Sequence, residues 1–288
     1  MYKSGYVGVI GKTNSGKSTL VNAMVGQKVS IVSPKKQTTR DNILGILTKD
    51  NYQLVFIDTP GIHKTKNNLD KSMMKNVRTA ISSVDVVLYV LDASKNLSTE
   101  EFDYIKKLTD LPLIVGISKV DISSQEKVFK IISKLSEIKE ISAIVPFSSL
   151  KNSNLNIILE EILNTLPEEK EKNFFFEEEM YTDKSIRFLV AEIIREKALY
   201  LLNEELPYGV AIEITKFNEN QNLIEIDADF ICEKESHKNI IIGKGGSMMK
   251  EIGSLARQEI EKLVDKKVML KIWVKVNHNW RQNKNFMV

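Results

Sequence analysis

Residues 11–18 satisfy the phosphate-binding pattern G-x-x-x-x-G-K-[ST] at every fixed position. The segment reads Gly11, Lys12, Thr13, Asn14, Ser15, Gly16, Lys17, Ser18, and Thr19 is the next residue. Its flanks fit as well. Residues 6–10 read as a short buried strand, and 19–25 as the start of a helix with Leu20 and Met24 on one face. The order is a physical requirement. Glycines let backbone N–H groups curl around an anion, and the helix N-terminus adds the positive end of its dipole. Lys17 is then placed to reach the outer phosphates, and the Ser18 hydroxyl to hold Mg²⁺.

The segments around this loop alternate. Strand patterns occur at 43–47, 53–57, 86–91, 113–117 and 143–147, several of them continuous apolar runs as expected of strands covered on both faces. Helical patterns occupy 71–82, 99–108, 126–138 and 157–166. This predicts an α/β domain over 1–168, a mostly parallel sheet with helices on both faces. Residues 43–47 and 53–57, separated by Asp50-Asn51 turn chemistry, predict one antiparallel hairpin within it. Residues 169–184, rich in Glu and Lys around Phe174, Phe175 and Phe176, read as a linker, with the phenylalanines as a plug between domains.

A smaller α+β domain is expected over 185–288. Residues 186–202 carry a helical apolar stripe, and 210–217 with 223–231 alternate like a hairpin. An apolar run (Ile240, Ile241, Ile242) leads into a glycine cluster, then a helix over 248–264 and a strand over 268–276.

Two further loops complete a nucleotide site. Asp58, Thr59, Pro60 and Gly61 come directly after the strand pattern at 53–57, where a carboxylate can hold the Mg²⁺ shell. The Gly61 N–H can meet a γ-phosphate there and respond to its loss. Ser118, Lys119, Val120 and Asp121 come directly after 113–117. A carboxylate at that place accepts N1–H and the 2-amino group of guanine, whereas adenine would face it with an acceptor. Ser148 and Ser149 come directly after 143–147, where loop backbone can meet the guanine oxygen.

A second glycine loop marks the smaller domain. Gly243, Lys244, Gly245 and Gly246 form a G-x-x-G loop after Ile242, of the kind that clamps single-stranded RNA by its backbone. Lys250 lies on the next helix pattern, and near the C-terminus Trp280 with Arg281 is the candidate for stacking on a base. Trp273, at strand spacing, is expected in the core.

The charge balance agrees with two anion sites. The formal net charge of +3 over 288 residues is segregated into +5 for residues 1–176, −9 for 177–236 and +7 for 237–288. Basic blocks suit phosphate-rich partners, and the acidic block is not expected to touch RNA. A lone cysteine, Cys232, excludes an internal disulfide and suits a reducing cytosol. The first residues lead into a strand without a signal-peptide pattern, and no apolar stretch is long enough to span a bilayer.

Taken in order, the phosphate loop, Asp58-Thr59-Pro60-Gly61, Ser118-Lys119-Val120-Asp121, Ser148-Ser149 and the G-x-x-G domain resemble the TrmE-Era-EngA-like branch of the translation-factor-class GTPases, in its Era-type form with a C-terminal type II KH domain. The resemblance covers nearly the whole chain. It implies a P-loop GTPase domain that binds GTP and GDP with Mg²⁺ and hydrolyses GTP, with Lys17, Thr39, Asp58 and Gly61 as the catalytic set. Thr38-Thr39-Arg40 resembles the first switch; Thr39 is favoured as the residue that senses metal and γ-phosphate, with Thr38 as the alternative. The resemblance further implies binding near the 3′ end of 16S rRNA, a role in small ribosomal subunit assembly, and a monomeric cytoplasmic protein with peripheral contact to the inner membrane face.

Two positions depart from the general GTPase pattern. Ile62 stands where many GTPases carry the glutamine that orients the attacking water. Ile62 agrees with the Era-type branch, and Asn14 occupies the place from which related GTPases bind K⁺. Ser118 stands where the base-reading motif begins with Asn, whose amide bridges base and phosphate loop. A serine replaces only part of that, which predicts weaker GTP binding without altered base choice. An RNA-binding protein with a hydrolytically silent nucleotide domain is one alternative, and a metabolic P-loop ATPase or kinase, disfavoured by Asp121, is another.

Overall fold

The computed structural model describes residues 1–35, 38–62, 68–108, 110–202, 206–278 and 280. They divide into two compact units, one of Met1–Ser30 with Thr39–Asp183 and one of Ile31–Thr38 with Lys184 onward.

The first unit runs β1 (Lys3–Ile10), α1 (Lys17–Val25), β2 (Ile43–Lys49), β3 (Tyr52–Asp58), α2 (Asn68–Ile81), β4 (Val86–Asp92), α3 (Thr99–Lys106), β5 (Leu113–Ser118), α4 (Gln125–Leu135), β6 (Ile141–Pro146) and α5 (Leu155–Thr165). Its six strands form one sheet in the order β2-β3-β1-β4-β5-β6. β1 pairs in parallel with β3 and β4, and β4, β5 and β6 continue in parallel. Only β2 is antiparallel, turning back through Asp50-Asn51 onto β3. Every residue of β4 and β5 is buried, which is why they read as unbroken apolar runs instead of alternating. Val87, Tyr89, Val115 and Ile117 pack with Val77, Ile105, Ile131 and Leu135 from the helices on one side. The loops that leave the C-terminal ends of β1, β3 and β5 are the phosphate loop, Thr59–Gly61 and the Lys119–Asp121 loop. A parallel sheet binds ligands at that end.

The stretch expected as a linker is part of this unit. The Ile46 N–H donates to the Tyr181 carbonyl at 3.0 Å, and the Leu44 N–H to Asp183 Oδ1 at 3.2 Å, so the chain covers the open edge of β2. Buried Gln53 accepts from the Phe175 and Phe176 N–H groups and donates to the Phe176 carbonyl. The Phe174 and Phe175 rings lie 6.4 and 4.7 Å from those of Tyr2 and Tyr6. These phenylalanines therefore pack on β3 and β1 within the first unit, while Tyr181 and Asp183 cover the β2 edge, a correction to their reading as an interdomain plug.

The second unit contains α6 (Ile186–Leu201), β7 (Val210–Glu219), β8 (Leu223–Cys232), α7 (Glu235–Ile242), α8 (Ser247–Val264) and β9 (Lys267–Val276). The sheet order is β7-β8-β9, with β7 and β8 antiparallel and β8 and β9 parallel. Its core joins Val190 and Ile194 of α6, Ile226 and Phe230 of β8, and Ile252, Ala256 and Ile260 of α8. The last three recur every four residues and so share one face. Ile240–Ile242, expected only as an apolar run, is the last turn of α7, a helix that the sequence pattern does not separate from the glycine cluster. Cys232 is buried, and burial pushes its thiol above the usual range, consistent with a core role.

Candidate functional site

The phosphate loop leaves β1 at Ile10 and enters α1 at Lys17, with Gly16 in a left-handed conformation (φ 98°) at the cap. Lys17 folds back into it and donates to the Gly11 and Lys12 carbonyls at 3.2 and 3.1 Å. It is buried, and desolvation lowers its ammonium to about 8, partly countered by the nearby Asp58 carboxylate. Lys12 is held outward by Glu101 at 2.9 Å and by the Ser98 hydroxyl at 3.1 Å.

Asp58, the last residue of β3, meets the loop from the side. The Ser18 hydroxyl donates to Asp58 Oδ2 at 2.6 Å and stands 3.0 Å from the Thr39 hydroxyl. Asp58 Oδ1 is buried and has no hydrogen-bond partner among the described residues. Burial raises the carboxyl pKa, and Lys17 with the Ser18, Ser30 and Thr39 hydroxyls only partly offset it. Two hydroxyls and one underserved carboxylate make a hard oxygen set that suits Mg²⁺. Thr38 points elsewhere, donating to the Lys35 carbonyl at 2.9 Å, so the geometry separates the two switch candidates.

Gly61 requires the absence of a side chain. A Cβ there would lie 2.5 Å from Thr13 Cα and 2.7 Å from the Thr13 nitrogen, so this loop rests directly on the phosphate loop. The Ile62 N–H donates to the Gly11 carbonyl at 2.9 Å, which fixes Ile62 against the same segment. Thr59 anchors the turn by donating to the Val9 carbonyl at 2.9 Å.

The base-side loop is tied to the phosphate loop from β5. The Lys119 ammonium reaches the Asn14 carbonyl and Asp92 Oδ2, both at 2.7 Å. Burial alone would raise the Asp92 carboxyl, but hydrogen bonds from Lys119 and Ser94 hold it below its usual range. Asp121 sits exposed on a short 3-10 turn, Val120–Ile122, that starts beside a left-handed Lys119. Ser118 is buried; its hydroxyl lies 2.6 Å from the Ser15 carbonyl and 3.0 Å from that of Leu91. The Ser148 and Ser153 backbones pair at 3.1 and 2.9 Å, which shapes the loop holding Ser149. All four sequence-predicted loops thus gather at one end of the sheet.

The second unit offers a separate groove of about 640 Å³ beside the glycine loop. Ile242, Gly246, Lys250, Arg257, Ile272 and Trp273 are among its lining residues, and none comes from the acidic stretch 177–236. Gly243 (φ 75°) turns α7 into the loop; a Cβ there would lie 2.9 Å from the Met248 nitrogen. Gly246 (φ 79°) then caps α8.

Two aromatic expectations are reversed. Trp280 is 1% exposed, packs on Ala211 and Ile231, and donates its indole N–H to the Gly209 carbonyl at 3.2 Å. It is a core residue and presents no face to a base. Trp273, expected in the core, is 46% exposed and lines the groove. The sequence did hold a signal for this. Lys271, Trp273 and Lys275 share one face of β9, opposite Val268, Leu270 and Ile272. Arg281 lies outside the described residues.

Comparison with known proteins places a known domain family on each unit. Residues 6–119 match the family model described as 50S ribosome-binding GTPase, and residues 205–281 match the KH domain model. The chain is 45% identical over 289 residues to GTPase Era of Ruminiclostridium cellulolyticum, covering 99% of this chain and 96% of that one. GTPase Era of Clostridium botulinum is 44% identical over 290 residues, covering 100% and 97%. A crystal structure of Era in complex with MgGDPNP and nucleotides 1506–1542 of 16S ribosomal RNA superposes with a TM-score of 0.92 at 38% identity, covering 99% of this chain and 97% of that chain. A point variant of Aquifex aeolicus Era bound to GDP·AlF4⁻ superposes equally well, with a TM-score of 0.92.

Proposed function

This chain belongs to the Era family of GTPases, and we propose that it hydrolyses GTP to GDP and phosphate and binds 16S rRNA near its 3′ end in small-subunit assembly. The observation that carries the catalytic half is the meeting of Ser18, Thr39 and Asp58 beside the Lys17 ammonium. When bound, Mg²⁺ supplies charge that stabilises the transferring phosphoryl group.

The chain's own residues supply the rest. Backbone N–H groups from Asn14 to Thr19 surround the phosphates, and Lys17 exchanges its carbonyl contacts for the outer phosphate oxygens. Thr39 and the Gly61 N–H sense the γ-phosphate, one through its hydroxyl and one through its backbone. Thr59 and Pro60 hold that turn in place. Asp121 reads the Watson–Crick edge of guanine, Lys119 and Val120 shape its loop, and the Ser148-Ser149 backbone meets the guanine oxygen. Ile62 cannot orient water, so charge at the attacking side comes from elsewhere. K⁺ held at Asn14, beside the phosphates, fits that need. Equal phosphate-release rates in KCl and NaCl would exclude it.

The groove beside Gly243–Gly246 takes single-stranded RNA. Glycine backbone, Lys244 and the α8 N-terminus approach the phosphates, Lys250 and Arg257 add charge, and Trp273 offers a stacking face. Era carrying nucleotides 1506–1542 supports this reading. A silent nucleotide domain is disfavoured because the metal-side residues stand together. Among the described residues no helix is long and apolar enough to cross a membrane. The family resemblance supports a cytoplasmic monomer that touches the inner membrane face peripherally, which vesicle flotation tests. Binding of an oligoribonucleotide from the 3′ end of 16S rRNA, measured in rising salt, tests the RNA half. The reading expects affinity to fall steeply with salt, and no binding at low salt would overturn it.

A further inference from the structure

The Ser118 side chain carries one proton, and the structure spends it inside the protein. Its oxygen lies 2.6 Å from the Ser15 carbonyl and 3.0 Å from the Leu91 carbonyl, both acceptors, and the residue is 3% exposed. What remains on the hydroxyl is lone pairs. Guanine N7 is itself an acceptor, so lone pairs cannot satisfy it. The neighbouring Lys119 ammonium is drawn toward the phosphate loop and β4, with two of its three protons taken by the Asn14 carbonyl and Asp92. An amide at position 118 would differ in kind. It has two N–H protons and a longer reach, and could serve a loop carbonyl and a base nitrogen together.

We infer that Ser118 acts as a positioning residue for the phosphate loop and leaves N7 of the bound guanine without a donor from the base loop. The specificity of this chain then rests on the Watson–Crick edge alone, read by Asp121 and the Ser148-Ser149 backbone. Guanine nucleotides whose N7 is replaced by C–H are accepted as well as the natural ones. The inference deepens the reading of this site as a guanine nucleotide site and rests on it. Gly16 leaves space on the loop side, with a Cβ built there 3.7 Å from Ser118 Cβ and Oγ. The missing Gly16 side chain therefore leaves the space of one carbon beside Ser118.

The test is calorimetric titration of the full chain with GDP, 7-deaza-GDP and ADP, in the wild type and in Ser118→Asn. In the wild type, GDP and 7-deaza-GDP are expected to bind with affinities within about twofold, and ADP far more weakly. Ser118→Asn is expected to prefer GDP over 7-deaza-GDP by about three- to tenfold, the worth of one ordinary hydrogen bond. Ser118→Ala should weaken both guanine nucleotides together, because it frees the Ser15 carbonyl without touching the base. A wild-type preference for GDP above about threefold would overturn the inference, as would a Ser118→Asn protein that keeps the wild-type ratio. Failure of GDP to bind, or equally tight ADP, would instead remove the guanine site itself, a result distinguishable from the other two.

Discussion

The Ser18 hydroxyl donates a 2.6 Å hydrogen bond to one oxygen of Asp58, and the other oxygen of that carboxylate is buried without a partner among the described residues. The carboxylate is therefore half-satisfied by protein. Its pKa is raised, since burial penalises its charge more than Lys17 and the Ser18, Ser30 and Thr39 hydroxyls together relieve it. A group with a raised folded pKa holds a proton longer in the native state than in the unfolded one. Stability of the nucleotide-free protein then falls as pH rises from the ordinary carboxylate range through the raised value.

Asp58→Asn should accordingly raise the Tm of the nucleotide-free, metal-free protein at neutral pH. The same change should lower Mg²⁺-dependent GTP hydrolysis about a hundredfold or more, through lost charge stabilisation. Thermal melts with and without Mg²⁺ check both. A variant that melts lower than the wild type in the absence of metal would contradict the reading of Asp58 as a carboxylate whose charge the folded protein offsets only in part.

Lys17 gives a second pH signature of opposite sign. Burial lowers its ammonium to about 8, so between pH 8 and its ordinary value near 10.5 the unfolded chain binds more protons. Apo stability should rise with pH through that window. A bound polyphosphate restores the charged form, so nucleotide binding near pH 8.5 should take up a proton that binding at pH 7 does not. Titration calorimetry in buffers of different ionisation enthalpy reads that uptake directly.

The two threonines that are candidates for the first switch make different contacts. Thr39 stands 3.0 Å from Ser18, whereas Thr38 bonds the Lys35 carbonyl. Thr39→Ala should reduce hydrolysis by about tenfold or more and weaken the Mg²⁺ dependence of GTP binding, with GDP affinity nearly unchanged. Thr38→Ala should leave Mg²⁺ dependence as it is and cost about 1 kcal/mol of stability at most, the worth of one hydrogen bond.

The tryptophans predict contrasting phenotypes. Trp273→Ala should weaken RNA binding by about 1–3 kcal/mol, the range for one stacked base, without loss of stability. Trp280→Ala opens a cavity beside Ala211 and Ile231 and should destabilise the second unit by about 3–5 kcal/mol. Denaturant unfolding beside RNA titration separates binding from folding.

How much of the molecule is legible in its sequence depends on how local each signal is. The phosphate loop, Asp58 and the Asp121 loop are readable because each is a short segment at a strand end. A parallel sheet then gathers such ends without further instruction. The antiparallel β2–β3 hairpin is readable from its turn for the same reason. Helix α7 is not, because its eight residues end in three isoleucines that suit strand or helix equally. The stretch from Phe174 to Asp183 escapes a local reading because its partners are Tyr2, Tyr6, Leu44, Ile46 and Gln53, more than 120 residues away for the Gln53 contacts. Trp273 leaves its expected core role because phase along β9 outweighs residue type, and Trp280, beyond the end of β9, packs back on Ala211 and Ile231. The lysines flanking Trp273 at i±2 already mark the outer face of its strand.

Multiple-turnover phosphate release by the full chain, with GTP and Mg²⁺ and a large excess of ATP as competitor, tests the central claim most directly. The account predicts sustained release well beyond one phosphate per protein, unchanged by ATP and lost in Asp58→Asn. Release that stops at a single equivalent, or that ATP suppresses in proportion to its concentration, would contradict it.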